Sequence, residues 1–284
     1  MGAARINRGL RRRMNRGKPL DSFPYLSGDS YFFSCEFYFK KGRLNDVPVK
    51  SDRSQKESSI FVNVNIIEEF IEFLKSNSGL DFFKYSITLH NGDNSISLQS
   101  LDYLVGRFNR IYGVNIMNVG ESINPIPIGL ENLNYFTNGV PADFDKIIKS
   151  GLIPSEKRDT LILDSFNLLT NKSERESCSK IGLKLGSKKL KMATPLEYRK
   201  AVAGSKFVLS PPGNGLDCHR TWEALYLGAI PIVKRASWPF VHLQLPVLVI
   251  NEWEDLFSID LNSFSVKNNT SWSKDFWDAF FYEK

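Results

Sequence analysis

The sequence predicts an α/β protein of two domains, each built around a mostly parallel sheet. The chain has 284 residues, enough for two domains of about 120–140 residues that each bury a core. Strand-like and helix-like segments alternate along it, and the alternation begins again after Pro141, which is typical of parallel sheets with crossover connections. Hydrophobic residues make up 42% and charged residues 24% of the chain. This composition excludes a fibrous or wholly disordered protein.

The first half of the chain holds the first cycle of strands and helices. Aromatic or alternating apolar runs predict strands at 31–39, 60–66, 85–89 and 115–119. Apolar residues at helical spacing predict helices at 67–75 and 98–109. The strand at 85–89 leads into a turn at His90–Asp93. We assign residues 21–145 to the N-terminal domain and expect a hinge near 138–155.

The second half repeats the pattern. The predicted strands are 159–163, 205–210, 230–233 and 246–250, and the predicted helices are 171–180, 216–227 and 253–257. We assign residues 146–258 to a C-terminal domain. Aromatic residues at helical spacing predict a further helix at 272–282, within a C-terminal segment (259–284) that we expect to pack back toward the N-terminal domain.

The formal charge of +6 comes from the N-terminus. Seven basic residues precede the first acid, and the rest of the chain is nearly neutral: Arg5, Arg8, Arg11, Arg12, Arg13, Arg16 and Lys18. We interpret residues 1–20 as a solvated, disordered arm; the alternative is a loose contact with anionic lipid or nucleic acid. The near-neutral body predicts no specific nucleic-acid partner.

Sequence features also bear on the cellular compartment. No stretch approaches the ~18 uninterrupted apolar residues of a membrane-spanning helix, and the N-terminus lacks a signal peptide's apolar core. Cys35, Cys178 and Cys218 are widely spaced, which fits a reducing compartment better than a disulfide framework. We therefore expect a soluble, cytoplasmic protein without a membrane span; for a viral protein, this would be the host cytoplasm.

The most informative stretch is 205–228, where a strand ends in Ser210-Pro-Pro-Gly-Asn-Gly215 and a helix follows. Glycines let the backbone approach a ligand, and a helix N-terminus favours an anion. Arg220 suits a diphosphate, and Glu223, on the same helix face, suits the two hydroxyls of a ribose. The alternative is a tight turn followed by an ordinary helix pair. A dinucleotide motif would need glycine where Cys218 stands.

The run Lys206–Val233 resembles the donor-site signature of exostosin-like glycosyltransferases, especially the small soluble members of bacteria and large algal viruses. His90–Asp93 and Pro125–Asn132 agree with that resemblance. The stretch from Asp164 to Arg175 is similar to another family segment, although Asp164-Ser165 departs from its usual start. The resemblance covers roughly residues 80–257.

The resemblance implies a GT-B architecture, in which two Rossmann-like domains face a cleft and the C-terminal one holds a nucleotide sugar. It implies an inverting transferase that needs no metal or other cofactor and moves a hexosyl or pentosyl group. The donor is expected to be a UDP-sugar, with UDP-xylose as the first choice, and the acceptor an oligosaccharide or glycoprotein glycan. The alternative is a catalytically inactive nucleotide- or glycan-binding module of the same fold.

The expected donor site combines the glycine loop, the helix that follows it and two residues of the earlier segment. Its members are Ser210, Pro212, Gly213, Asn214, Gly215, Asp217, His219, Arg220, Glu223, Asn167 and Arg175. Arg220 matches the residue expected at the diphosphate and Glu223 the one expected at the ribose. The alternative for His219 is a structural role instead of contact with the donor.

Inverting transfer needs a base for the acceptor hydroxyl. Asp93, with His90 as the second choice, follows a strand at its carboxyl end, where α/β sheets place ligands. The alternative for Asp93 is a residue that shapes the turn. Asp217 is a further candidate, although capping of the helix also explains its position.

Asp143-Phe-Asp145 matches the Asp-x-Asp pattern with which other glycosyltransferases hold a divalent metal. The pattern carries little information, because acidic residues are frequent in this chain. It follows Val140-Pro-Ala, so we expect it to open a helix, whose first turn favours acids.

Overall fold

The computed structural model describes most of the chain, and its described residues divide into two compact units between Gly139 and Val140. We name them unit 1, up to Gly139, and unit 2, from Val140. The described residues are 11, 14–15, 18–48, 58–93, 95–117, 120–190, 193–241, 243 and 245–265. Most of the predicted arm and all of the predicted helix at 272–282 lie outside them.

Unit 1 contains a six-stranded sheet, within the described residues, in which only one neighbouring pair is antiparallel. Its strands are β1 (Phe37–Lys40), β2 (Arg43–Asp46), β3 (Ser59–Asn63), β4 (Ser86–His90), β5 (Arg110–Gly113) and β6 (Ile123–Pro125). The strand order is β2-β1-β3-β4-β5-β6. Apart from β2, the carboxyl ends of these strands therefore lie at one edge of the sheet.

The helices described in unit 1 are α1 (Gly28–Phe32), α2 (Ile67–Ser76) and α3 (Leu98–Val105). Helix α2 forms where apolar spacing predicted it, and it buries Ile67, Phe70, Ile71 and Leu74. Ser97 caps α3 by accepting a hydrogen bond from the backbone N–H of Ser100.

The predicted first strand at 31–39 is wrong over its first half, where α1 ends and a turn follows. Ser27 starts that helix, because its side chain accepts from the Ser30 backbone while the Ser30 side chain accepts from the Ser27 backbone. Only the second half of the aromatic run, from Phe37, is a strand.

The predicted strand at 115–119 is wrong over residues 115–117; residues 118 and 119 lie outside the described residues. Asn115 has a φ of 59°, a left-handed conformation that a strand does not accommodate. The strand of this region is β5, which begins at Arg110, and the preceding helix ends at Val105 instead of 109. Gly106 is the C-cap residue of that helix.

Unit 2 contains a parallel sheet with four described strands. They are β7 (Thr160–Leu163), β8 (Ser205–Leu209), β9 (Ile230–Lys234) and β10 (Leu248–Ile250), in the order β10-β9-β8-β7. All four lie within or beside the predicted strands. Both units are thus mixed α/β with largely parallel sheets, which is compatible with Rossmann-like domains.

The α-helices described in unit 2 are α4 (Pro141–Lys149), α5 (Lys172–Lys184), α6 (Pro195–Ala203) and α7 (His219–Tyr226). The boundary predicted between residues 145 and 146 falls inside α4. Phe144 of this helix is fully buried, with its ring 6.4 Å from that of Tyr226, so the helix belongs to unit 2 from its start. The predicted helix at 253–257 is a 3₁₀ helix, Trp253–Ser258.

Residues 259–265, the described part of the predicted C-terminal segment, pack on the core of unit 2. Leu261 is buried in the cluster around Phe207, and the rings of Phe264 and Phe207 lie 5.8 Å apart. The Lys206 ammonium donates to the backbone carbonyls of Leu261 and Asn262 at 2.9 and 2.7 Å. In the described part of the chain, no helix combines the length and the apolar character needed to cross a membrane.

Candidate functional site

The carboxyl edge of the unit 2 sheet carries most of the residues that the sequence singled out. Strand β8 ends at Leu209, the loop 210–218 follows, and α7 begins at His219. The helix therefore begins three residues later than predicted, with Cys218 at its N-cap. The start of α7 is tied to the end of β8, because the Ser210 hydroxyl lies 2.8 Å from the Thr221 hydroxyl and 3.1 Å from the Cys218 sulfur.

The glycine loop is held by backbone contacts and by one arginine. The Gly213 N–H donates to the Gly215 carbonyl at 3.1 Å, and Arg175 Nε donates to the Pro212 carbonyl at 3.0 Å. A side chain at Gly213 would place its Cβ 2.9 Å from Arg175 Nη2. The absence of a side chain at Gly213 therefore keeps the approach to the Arg175 guanidinium open.

Arg175 and Arg220 converge on one aromatic ring. Their guanidinium carbons lie 5.8 and 5.0 Å from the centroid of the Phe166 ring, which follows β7. Arg175 is buried, and its Nη1 also donates to the Asn167 carbonyl at 2.7 Å. Arg220 Nη1 lies 3.7 Å from the Cys218 sulfur. The structure thus brings two cations together beside the glycine loop.

The two guanidinium groups influence each other electrostatically. Burial lowers the pKa of Arg175 below its ordinary value, and the positive charge of Arg220 lowers it further. Burial also opposes the charge of Arg220, but nearby acidic groups, Glu223 among them, outweigh it and raise the pKa. Both groups remain cations at neutral pH, since an arginine is not deprotonated in proteins. An anion placed between them would relieve their mutual repulsion.

Glu223 lies in the same electrostatic neighbourhood. Its side chain is buried on α7, and its charge contributes to the raised pKa of Arg220. Burial raises the pKa of the Tyr198 hydroxyl well above its ordinary value, and Glu223 raises it further. Tyr198 therefore stays a neutral hydroxyl beside a carboxylate. No pattern in the sequence pointed to Tyr198. Phe166 lies in the stretch 164–175 that the sequence singled out, but it was not itself predicted as a site residue.

Asp217 has a structural position that the sequence did not predict. It precedes the N-cap residue of α7, and its carboxylate accepts from the Cys218 N–H at 2.8 Å and from Trp222 Nε1 at 2.7 Å. Asp217 is buried, and Trp222 is fully buried in the core. The carboxylate therefore anchors the core tryptophan. Cys218, not Asp217, occupies the N-cap position, and Asp217 as a base stays a prediction.

The remaining predicted donor residues lie near the two arginines. Asn214 is exposed in the glycine loop, and His219 is half-buried at the first position of α7. Asn167 is exposed; its side chain oxygen accepts from the Leu169 N–H at 2.9 Å and its carbonyl holds Arg175.

Lys234 is a third cation at this edge, and it was not predicted from the sequence. Lys234 ends β9, and its ammonium lies 2.7 Å from a Glu252 carboxylate oxygen and 3.6 Å from a Glu174 oxygen. The hydrogen bond to Glu252 raises the pKa of Lys234 above its ordinary value. Glu174 also accepts from Trp253 Nε1 at 2.7 Å. This cation is thus neutralised by two carboxylates within 4 Å.

At the carboxyl edge of the unit 1 sheet, both ring nitrogens of His90 are engaged. The Asn91 N–H donates to His90 Nδ1 at 2.7 Å, so that atom is unprotonated and Nε2 donates to the Pro127 carbonyl at 3.1 Å. His90 is buried and lies 5.3 Å from the Tyr31 ring. A histidine held in this way orients its loop, and His90 as the second choice of base stays a prediction.

Asp93, the predicted base, is exposed in the bend that follows β4. The turn is shaped by Asn91, whose φ of 61° is left-handed, and its carbonyl accepts from the Asn63 side chain at 3.0 Å. Asn91 thus accounts for the turn geometry. Shaping this turn was the alternative role of Asp93.

A buried carboxylate, Asp29, lies at the same edge and was missed. Its Oδ1 accepts from the Asn91 side chain at 3.3 Å, and its Oδ2 accepts from the Leu20 N–H at 2.9 Å. The Asn132 side chain joins both residues: its amide donates to Asn91 at 2.9 Å, and its oxygen accepts from the Asp29 N–H at 2.9 Å. Asn91 and Asn132 belong to segments that the sequence had already singled out.

The Asp143-Phe-Asp145 pattern opens α4, as expected, and Asp143 is held by an ion pair. A carboxylate oxygen of Asp143 lies 3.0 Å from Nη1 of Arg199, which is fully buried. This pair explains Asp143 as part of the helix packing between α4 and α6. Among the residues that the structure describes, no group of three or more His, Cys, Asp and Glu side chains is arranged to hold a metal.

Comparisons with protein-family models and with curated protein sequences found no match for this chain.

Proposed function

We propose that the chain is an inverting, metal-independent glycosyltransferase of the exostosin-like type, which moves a sugar from a nucleotide-sugar donor to a glycan hydroxyl. The observation that carries the proposal is the arginine pair, Arg175 and Arg220, beside the loop containing Gly213. The family resemblance of Lys206–Val233 adds the reaction class.

The diphosphate of the donor is proposed to bind at the arginine pair. Two guanidinium groups within 6 Å of one ring form a compact cationic patch. Each charged hydrogen bond to a phosphate oxygen contributes roughly 1.5–3 kcal/mol. Gly213 leaves room for the phosphate to approach, and the start of α7 adds the favourable end of a helix dipole.

The ribose is proposed to bind to Glu223. A buried carboxylate can accept both ribose hydroxyls, which matches the role that the resemblance implies. Tyr198, a neutral hydroxyl in the neighbourhood of Glu223, offers a further hydrogen bond on this side.

Transfer is proposed to proceed in one step. Asp93 takes the proton of the acceptor hydroxyl, whose oxygen bonds to the anomeric carbon from the face opposite the leaving group. The bond from that carbon to the phosphate oxygen breaks, and its electron pair stays with the nucleoside diphosphate, where Arg220 and Arg175 neutralise it. The proposal includes a GT-B architecture, because the base belongs to unit 1 and the donor residues belong to unit 2.

The donor is proposed to be a UDP-sugar, with UDP-xylose first; this choice rests on the resemblance alone. The acceptor is proposed to be an oligosaccharide or a glycoprotein glycan. We propose the cytoplasm as the compartment, because Cys35, Cys178 and Cys218 are free thiols.

Calorimetric titration with UDP, UMP and uridine tests the proposal. Because the arginine pair is assigned to the diphosphate, we expect UDP to bind at least about tenfold more tightly than UMP, and uridine to bind weakest. Equal affinities for UDP and uridine would contradict the assignment. If UDP binds but a UDP-sugar is neither hydrolysed nor used for transfer, the result would favour an inactive binding module.

A further inference from the structure

A cavity lies in unit 1, away from the candidate active-site edge. It has a volume of about 390 Å³ and is formed where β1 and β2 meet the segment that leads into β4. Phe37 begins β1, Asp46 pairs with it across the hairpin, and Tyr85 immediately precedes β4. His90 ends β4, so the length of that strand, about 13 Å, separates the cavity from the predicted base.

One side of the cavity is aromatic. The rings of Phe37 and Tyr85 meet edge to face with centroids 6.0 Å apart, and the Phe82 ring lies 6.4 Å from that of Tyr85. Phe37 and Tyr85 are half-buried, so part of each ring faces solvent. Leu80, also in the lining, is 59% exposed. Phe82 is buried among core rings, whereas Phe37, Tyr85 and Leu80 leave part of their surface to solvent.

The other side of the cavity is polar. Asn45, Asp46, Asp81 and Lys84 line it. Asp81 Oδ1 accepts from the Phe83 N–H at 2.9 Å, which fixes the carboxylate in place. The Asn45 amide donates to the Arg43 carbonyl at 3.1 Å, and the Lys84 ammonium lies 5.2 Å from the Tyr85 ring centroid. Donors and acceptors therefore stand around an aromatic wall.

We propose that this cavity binds the ring of a neutral sugar. Its volume lies in the range of small-molecule sites. Partly exposed aromatic rings offer a flat apolar surface to the C–H face of a pyranose, while carboxylates and an amide accept hydrogen bonds from its hydroxyls.

The charge of the lining selects between sugars. Asp46 and Asp81 supply two negative charges and Lys84 supplies one positive charge, so a uronic acid or a sugar phosphate meets net repulsion. A neutral ring has hydroxyl protons for both carboxylates. This glycan-binding site is separate from the groups that react in the proposed transfer.

Saturation-transfer NMR on the full chain tests the site with methyl β-glycosides of xylose, glucose, galactose and glucuronic acid. We expect at least one neutral glycoside to bind in the millimolar range and the glucuronide to bind at least about fivefold more weakly. The double variant Asp46→Asn, Asp81→Asn keeps the shape of both exposed side chains and should weaken the neutral glycoside about tenfold. Asp102→Asn, an exposed acid on α3, is the matched control and should not change binding.

Three results would overturn the inference: no neutral glycoside binding at about 20 mM, tighter binding of the glucuronide, or unchanged binding in the double variant. Arg220→Ala separates this inference from the proposed function. That variant should retain glycoside binding although it loses transfer, whereas loss of glycoside binding would place the sugar at the donor residues and contradict the cavity.

Discussion

The carboxyl edges of the two sheets differ in the chemistry that they present. In unit 2, Arg175 and Arg220 bring two positive charges next to a glycine loop. In unit 1, the corresponding edge carries Asp29, His90 and Asn91, whose side chains hold one another and the adjoining loops. One edge attracts an anion, and the other is a network of hydrogen-bonding groups around an exposed carboxylate, Asp93.

The difference teaches that a parallel sheet supplies the place for a site and the loops supply its chemistry. Both edges are made of strands that end in polar loops, yet in the described part of the chain the guanidinium pair proposed to neutralise a leaving diphosphate lies at the unit 2 edge. A base has to remain available for the acceptor, and the exposed position of Asp93 meets this need better than His90, whose two nitrogens are engaged. The comparison therefore assigns different steps of the proposed reaction to the two edges.

The largest expected effect is that of Asp93→Asn, which removes the proposed base. We expect kcat to fall by about 10²–10⁴-fold, the range that general base catalysis contributes, while the Kd for UDP stays unchanged. Asp102→Asn is the control for removing an exposed acid from unit 1. Steady-state kinetics measure kcat, and calorimetry measures the Kd for UDP. Normal turnover by Asp93→Asn would remove Asp93 from the mechanism.

Arg220→Ala is the matching test of the unit 2 edge. Loss of one group that stabilises the leaving charge should lower the transfer rate by about 10²–10³-fold, and UDP affinity should fall as well. Lys200→Ala, which removes an exposed cation from α6, should leave both unchanged. Turnover like that of the unmodified chain in Arg220→Ala would contradict the proposed role of the arginine pair.

Arg175→Ala should show a smaller loss of rate and a clear loss of stability. The guanidinium donates to the Pro212 and Asn167 carbonyls, so its removal loses two hydrogen bonds that brace the loop, at a cost of about 1–3 kcal/mol. Thermal unfolding measures this cost, and UDP titration measures the weaker site. Equal stability of Arg175→Ala and the Lys200→Ala control would show that Arg175 does not brace the loop.

A pH effect on stability should come from Cys178. Burial, assisted by the charge of Asp164, raises the pKa of this thiol above its ordinary value of 9.0. The folded state then keeps a proton that the unfolded state loses, so this group costs stability as the pH rises above about 9, by up to about 1.4 kcal/mol per pH unit. Denaturant unfolding between about pH 8 and 11 should show a shallower decline in Cys178→Ala. The same slope in both proteins would contradict this origin.

The smallest expected effect is that of a chelator. Because the diphosphate is assigned to Arg175 and Arg220, transfer should continue unchanged in excess EDTA. Rates with added Mg²⁺ or Mn²⁺ are the comparison. Loss of activity in EDTA that Mn²⁺ restores would replace the arginine pair with a metal as the main electrostatic partner.

Much of the fold follows from local sequence. Apolar spacing predicted α2, and buried runs predicted β8 and β9 within one or two residues. The helix α6 was not predicted, although Thr194, Pro195 and Glu197 carry a recognisable start signal: the Thr194 side chain accepts from the Glu197 backbone, and proline occupies the first turn. The strand predicted at 31–36 was wrong because bulky aromatic side chains favour strands, whereas Ser27 caps a helix that reaches into this run.

Local patterns pointed to site residues that are close together in the chain, and the family resemblance added Asn167 and Arg175. The loop at 210–215 and the helix with Arg220 belong to one continuous segment, which is why the sequence singled them out. Phe166 meets Arg220 across 54 positions of the chain, and Asn132 meets Asp29 across 103. Such contacts depend on strand order and tertiary packing, for which local patterns carry no signal.

A structure of the chain with UDP tests the central claim most directly. The account predicts the diphosphate in contact with the guanidinium groups of Arg175 and Arg220 beside Gly213, and the ribose on Glu223. A nucleotide bound away from the loop after β8, or a diphosphate held by a cation instead of by the two arginines, would contradict it.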